Sequence, residues 1–423
     1  MRRCGVPWKP SGISTTKIEK PLHAVTSTGI ARNHLDLSDS QPHPYNDHVS
    51  TGLPRFQNTF TTALWHIARA AIVLFVALLP GLVPCSASTA EPPQPPSILL
   101  LTVDTLRADA LAAYGANDAK TPNLDKLAAE GILFERAATP MPLTRPAHFS
   151  IFTSLYPREH GVINNSLSLP QEAETLAEKL REAGYHTGAF VAVSLLSEEA
   201  GAAQGFEAFR GVGPDRYHRN AKKVVTEALD WLRLQPKNAP FFLWVHLFDP
   251  HLPYRPPKMF QRGLDPQMAH ELPGLNWERL IRIARSNDGD IPAKVLQHAL
   301  SLYRSEVEYT DHWVGKLLTG IQALRGNENT LVAFAADHGE CFDHGVYFEH
   351  ADCLFEGAIQ IPMIIRHPES FPAGKRWAGQ VTSLDIAPTL LKAAGVKIPA
   401  AFSGLPIQDL SEDDERYVLL QYP

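Results

Sequence analysis

Three apolar runs of this chain lead into side chains that can hold a metal ion. Residues 98–103 are followed by Asp104, and residues 331–336 by Asp337 and His338. The run 241–248 contains His246 and is followed by Asp249 and His251. Taken singly, an Asp after a strand is ordinarily a turn or cap residue, and a lone His a hydrogen-bonded packing residue. Three such ends together point to a shared site. Carboxylate oxygens suit hard divalent cations and imidazole suits zinc or manganese, so Asp104, Asp337 and His338 form a mixed set open to Ca, Mn, Zn or Mg. A hydroxyl, Thr144, stands two residues before Pro146. Proline is well tolerated at the first helical position, so 147–155 reads as a short helix with Thr144 at its N-terminus. Unpaired N–H groups and the helix dipole favour an anion there. A cation beside it would lower the hydroxyl's pKa and neutralise charge on a tetrahedral group.

These residues need a scaffold that gathers strand ends. The runs 98–103, 188–193, 241–248, 331–336 and 361–365 read as short buried strands. Helical patterns fall between them, at 171–183, 221–234 and 293–324, and one opened by Thr121-Pro122 is closed by Gly131. The alternation predicts an α/β fold, a mostly parallel sheet with helices on both faces. In such sheets ligands bind just beyond the carboxyl ends of the strands, where the candidate residues fall.

The chain has 423 residues, 44% hydrophobic and 20% charged, and carries a net charge of -6. It is too apolar for general disorder, and it lacks the basic surplus of a nucleic-acid partner. Residues 1–62, rich in Ser, Thr, Pro, His and Asn, read as a disordered extension. Residues 63–90 contain an apolar run at 70–83, short for a membrane span, with a small-residue exit. They read as a signal peptide, or as a membrane anchor, and imply export to a periplasmic or extracellular space. No Met separates Met1 from this run, so a cleaved signal requires a start other than Met. Residues 91–96 are a Pro-rich linker. Beyond it only Cys341 and Cys353 remain of four cysteines, and their spacing leaves a disulfide and two free thiols equally open.

Val103-Asp104-Thr105-Leu106-Arg107-Ala108-Asp109, Tyr114-Gly115, Thr121-Pro122-Asn123-Leu124-Asp125, the stretch 144–161, Asp337-His338-Gly339 and Leu354-Phe355-Glu356-Gly357 occur in the order in which they occur in sulfatases. The chain resembles the sulfatases of the alkaline phosphatase superfamily over about 97–395, which places a catalytic domain at 97–400. The resemblance implies metal ligands at Asp104, Asp337 and His338, with Thr144 contributing both as ligand and as nucleophile. His251 looks like the histidine that contacts the transferring group or assists the leaving group, and His350 lies near a binding lysine of the family. Four departures matter. Thr144 replaces the Cys or Ser that becomes formylglycine, so that group is not expected. His148 replaces the Arg that closes Cys-x-Pro-x-Arg and joins the catalytic candidates. Thr105 replaces a second acidic residue, and the Lys-Trp-His segment is missing at 188–193. Arg107 and Arg145 lie near the site or on the surface, Glu356 reads as a brace for a helix, Cys341 as packing, and Asp311 as a surface or salt-bridged residue. Family members continue into a smaller C-terminal sheet after Asp385-Ile386-Ala387-Pro388-Thr389-Leu390-Leu391, so 401–423 reads as a truncated segment and the small subdomain as shortened or absent.

The function implied is metal-dependent hydrolysis of a sulfuric or phosphoric ester, with Thr144 forming and losing a covalent ester. The partner would be a sulfated or phosphorylated small molecule or glycan. A phospho-alcohol head-group transferase at a membrane, or a non-catalytic anion- or glycan-binding homologue, are the competing expectations.

Overall fold

A computed structural model describes residues 95–422, apart from 262–263, 274, 287–289, 327–328 and 344–345. The N-terminal extension, the segment read as signal peptide or anchor, and most of the linker lie outside the described residues. Among the described residues, no helix is long and apolar enough to cross a membrane.

Ten strands form: β1 Ser97–Val103, β2 Ile132–Ala138, β3 His186–Phe190, β4 Ala208–Arg210, β5 Phe241–Leu247, β6 Thr330–Ala336, β7 Cys341–Asp343, β8 Val346–Glu349, β9 Met363–Arg366 and β10 Lys375–Thr382. Eight of them make one sheet in the order β10-β2-β9-β6-β1-β5-β3-β4, while β7 and β8 make a separate hairpin. All neighbours in the large sheet run parallel except β9, which is antiparallel to both β2 and β6. The five sheet strands expected from the sequence are present, with ends displaced by a few residues. The segment expected at 361–365 becomes the reversed strand β9. Strands β2 and β10 went unread because charged residues interrupt them: Glu135 and Arg136 in the first, Lys375 and Arg376 in the second.

Among the described residues the helices are α1 Pro122–Glu130, α2 Thr144–Thr153, α3 Leu176–Glu182, α4 Ala221–Leu234, α5 Ala293–Arg325 and α6 Ile386–Ala393, with a further helix, Trp277–Arg285, and shorter helical turns between. Helices α1, α4 and α5 pack as one group, and α2, α3 and α6 as another. Between them β5 and β6 are buried along their whole length, and β1 beyond its first residue, which is why these strands read as unbroken apolar runs. Helix α3 starts at Leu176 instead of 171, because Thr175 and Glu178 form a capping box there, the Glu178 N–H donating to Thr175 Oγ1 and the Thr175 N–H to Glu178 Oε2.

Residues 394–422 carry no strand. They run back over the domain, where Arg416 makes two bonds, 2.8 and 2.9 Å, to the buried Asp385 carboxylate.

Candidate active site

Register decides which residues meet. Val103 of β1 lies opposite Ala336 of β6 and Leu247 of β5, so the next residues, Asp104 and Asp337, emerge side by side from adjacent parallel strands. Asp104, Asp337 and His338 each offer one ligand atom, and these atoms lie within 4.8 Å of one another, all buried. His338 Nε2 is 3.4 Å from Asp337 Oδ2 and 3.9 Å from Asp104 Oδ1. Both Asp104 oxygens, Asp337 Oδ2 and His338 Nε2 are buried without a hydrogen-bond partner. Such atoms are costly to leave unsatisfied. A divalent cation among them would satisfy all four, and the oxygen and imidazole donors fit one. His338 Nδ1 lies 2.9 Å from the Gly339 carbonyl, an acceptor, which puts the proton on Nδ1 and leaves Nε2 its lone pair.

The two carboxyls titrate in opposite directions. Burial alone would raise Asp104, yet the His246 imidazole, with Nε2 at 3.5 Å, and the nearby His251 and His338 hold it below the usual carboxylate range. Asp337 is raised well above that range by burial and by the charge of Asp104, despite N–H donors from Thr105 and His338. Thr105 itself adopts φ 51°, an uncommon backbone for a β-branched residue. It is held there from α5, whose Tyr303 hydroxyl donates to the Thr105 carbonyl at 2.9 Å and accepts from Arg107 N–H at 2.9 Å.

Thr144 is the first residue of α2, three residues earlier than proline placement suggested, and all but closed to solvent at 1% exposure. Leu143 precedes it with no side-chain cap; the next N–H, that of Arg145, donates to Asn165 Oδ1 at 2.9 Å. His148 lies one turn on and is fully buried. Its Nδ1 is 2.8 Å from the Thr144 carbonyl and 3.4 Å from Asp337 Oδ2, and its Nε2 is 3.1 Å from Thr102 Oγ1, which accepts from Trp244 Nε1–H at 3.0 Å. Burial, with His246 adding, pushes the ring down to about 3, so it is neutral. Both nitrogens are occupied, and His148 ties the start of α2 to Thr102 of β1, with Asp337 alongside, rather than reaching outward.

A second set of histidines lines the same corner. His350 stacks on His338 with ring centroids 4.4 Å apart and meets His251 edge-on at 5.5 Å. Its Nδ1 is 3.1 Å from Glu340 Oε1. Burial would lower His350, but Glu340 beside it raises it. Glu340, buried, was not read from the sequence, although it follows Asp337-His338-Gly339 directly. His246 was noted only as part of its run; an imidazole inside an otherwise apolar strand was the available signal. The motifs Asp337-His338-Gly339 and Leu354-Phe355-Glu356-Gly357 occur together because they clasp. Gly339 N–H donates to the Ala358 carbonyl and Glu340 N–H to that of Gly357. A Cβ on Gly339 would fall 2.0 Å from the Gly357 oxygen.

The remaining candidates resolve as follows. Arg107 donates to the Glu340 carbonyl at 2.7 Å and pairs with Asp109. Arg145 donates to the carbonyls of Leu195 and Leu167. Glu356 opens the single turn Glu356–Ile359, consistent with a brace. Cys341 is joined to Cys353 in a disulfide. Asp311 is not a surface residue: it is 1% exposed and caps α1, accepting from Leu124 N–H at 2.8 Å and from the Asn123 side chain at 2.8 Å.

A mixed α/β sheet whose strand ends gather two carboxylates and a cluster of histidines beside the start of a helix places this chain among the hydrolases of the alkaline phosphatase superfamily. The sequence model of the family Sulfatase matches residues 96–396, and the chain belongs to that family. Its enzymatic class is therefore that of a hydrolase acting on sulfate or phosphate esters. It is 28% identical over 379 residues to an arylsulfatase of Clostridium perfringens, covering 75% of this chain and 79% of that one. Among solved structures it resembles a phosphonate monoester hydrolase of Agrobacterium radiobacter, TM-score 0.62, 22% identity, 76% of this chain and 78% of that one. It also resembles a protein solved with its substrate D-glucosamine-2-N,6-O-disulfate, TM-score 0.63, 21% identity, 76% and 81% covered. These two likenesses concern the fold.

Proposed function

We propose that the protein is a metal-dependent hydrolase of sulfate esters, with phosphate esters as the neighbouring chemistry, and that Thr144 is its nucleophile. The observation that carries this is the set of buried, unpartnered donor atoms of Asp104, Asp337 and His338, of which Asp337 Oδ2 lies 3.4 Å from the His148 ring that bonds to the carbonyl of the first residue of α2. A divalent cation held there supplies positive charge that lowers the hydroxyl's pKa and offsets charge on the transferring group. The rest falls to the chain's own side chains. Thr144 Oγ1 bonds to sulfur or phosphorus as the bond to the alcohol oxygen breaks. The hydroxyl proton of Thr144 passes to water, and a proton from His251 or His350 completes the departing alcohol. Water then cleaves the covalent ester and regenerates Thr144. His350 is suited to protonated work because Glu340 raises it. Because threonine is not converted to formylglycine, the cycle passes through an ordinary ester.

A sulfated sugar or glycan is the substrate class favoured by the likeness to a protein that binds a disulfated glucosamine. Export fits the Cys341–Cys353 disulfide, which persists in an oxidising compartment.

The test compares purified protein with Thr144→Ala on an aryl sulfate, a phosphate monoester and a phosphodiester, alongside metal analysis. Turnover of one of these by the wild type, falling roughly a thousandfold or more in the mutant with metal content intact, is the expected result. Equal turnover by the two proteins removes Thr144 from the mechanism.

A further inference from the structure

Outside the metal corner, a cavity of about 340 Å³ opens next to His251, lined among others by Arg216, His218, Asp249, Arg255 and Glu306. It is joined to the site by an aromatic stack. His218 lies on Phe248 at 5.1 Å and Phe248 on His251 at 4.3 Å, both nearly parallel, and His251 then meets His350. Tyr217, edge-on to Phe248, has its hydroxyl raised to about 12 by burial and by the charge of Asp104, so this loop lies within the field of the metal site.

Two of the three arginines lining the cavity are uncommitted. Arg219, which also lines it, is tied by its guanidinium to Glu227 and to the Val191 and Arg210 carbonyls. Arg216 and Arg255 are exposed, and neither guanidinium has a partner among the described residues. The carboxyls of the cavity do not cancel them. Asp249 accepts from Ala221 N–H at 2.8 Å and Glu306 from the backbone N–H of Arg255 at 2.7 Å, so both bond to backbone. Burial raises Asp249 to about 7 and Glu306, with Asp249 adding, to about 9, which keeps the proton on Glu306 near neutrality and leaves Asp249 about half ionised there. Two free guanidiniums, each able to bind an oxyanion through two N–H groups, therefore face a cavity one ring away from the leaving-group side.

We infer that this cavity is a second anion subsite, in which Arg216 and Arg255 seat a further sulfate or carboxylate carried by the alcohol part of the ester. The substrate class narrows to esters with at least two anionic groups. This rests on the hydrolase reading, since it takes the scissile group to lie at Thr144.

The experiment measures binding by calorimetry in the Thr144→Ala background, where the ester persists. The probes are glucose sulfated on its primary hydroxyl and the same sugar with a second sulfate on each ring hydroxyl in turn. At least one disulfate should bind roughly tenfold tighter or more than the monosulfate, with an advantage that shrinks as salt rises. Adding Arg216→Gln and Arg255→Gln should bring that ratio to within about twofold of unity, and Lys at both positions should retain most of it. No disulfate advantage, an advantage that survives the Gln pair, or binding of neither sugar would overturn the inference. A wild-type protein that cleaves no sulfate or phosphate ester while the Arg-dependent advantage stands would remove the hydrolase reading and leave the anion site.

Discussion

In the proposed metal site, Asp337 is the carboxyl whose proton an ion would displace. Its carboxyl is raised by burial and by Asp104, so ion binding releases a proton and affinity tightens as pH rises. Without metal the sign for stability is the reverse. A carboxyl raised in the folded state contributes stability that is complete below its ordinary value of 3.8 and is lost as pH climbs through the raised folded value. Asp337→Asn should therefore weaken ion affinity by at least roughly a hundredfold, while in chelator the variant melts higher than wild type above neutral pH. Thermal melts across pH with and without divalent ion check both halves; a metal-free wild type that does not lose stability against the variant as pH rises contradicts the assignment. Glu306 obeys the same rule over a window that can be named, from its ordinary 4.5 to about 9. Glu306→Gln keeps an acceptor for the Arg255 N–H and has no proton to lose. It should be more stable than wild type at pH 8 by about 2–4 kcal/mol and equal to it near pH 4, as read from denaturant midpoints.

At the scale of elements, helix α5 does two separable jobs. Tyr303 fixes the loop after β1, holding Thr105 at φ 51° between the two ligands' strands. Asp311, two turns on, caps α1 from outside it. Tyr303→Phe should loosen Asp104 and cost roughly tenfold or more in ion affinity. Asp311→Ala should cost about 1–2 kcal/mol of stability and leave ion affinity within about twofold of wild type. Denaturant titration and ion-binding calorimetry on both variants separate the two roles, and equal effects of the two would show α5 acting only as a packing helix. The same helix marks where sequence reading stops. Its length and apolar pattern were legible, as were β1, β5 and β6, because continuous burial writes itself as a continuous apolar run. Asp311 was misread since periodicity records which face is buried and not which polar group finds orphan N–H donors across a helix crossing. The reversal of β9 was likewise invisible, because direction is set by connections between strands rather than by their residues. At the site, Asp104, Asp337 and His338 stood at legible strand ends, whereas Glu340 matters only through the loop that brings His350 against it.

For the molecule as a whole, the histidine proposed to serve the leaving group lies on a covalently closed loop. Cys341 and Cys353, both fully buried, bridge a loop of 12 residues that contains the β7–β8 hairpin and His350. Glu340, which holds His350, immediately precedes the first cysteine, and the clasp of Gly339 and Glu340 against 357–358 lies just beyond the second. The candidate ligands Asp104, Asp337 and His338 sit outside the loop. Opening the disulfide therefore acts on the second half of the site and spares the first. Closing a loop of this size is worth about 3 kcal/mol in the chain-entropy description. Cys341→Ser with Cys353→Ser should lose stability of that order, retain its metal content, and lose turnover of an ester with a poor leaving group more than of one with a good leaving group, since only the former needs the histidine proton. Metal analysis, melts and a leaving-group series on the double variant check this. Free thiols at both positions in protein taken from its native compartment, found by alkylation under denaturing conditions, would contradict both the closure and the proposed export.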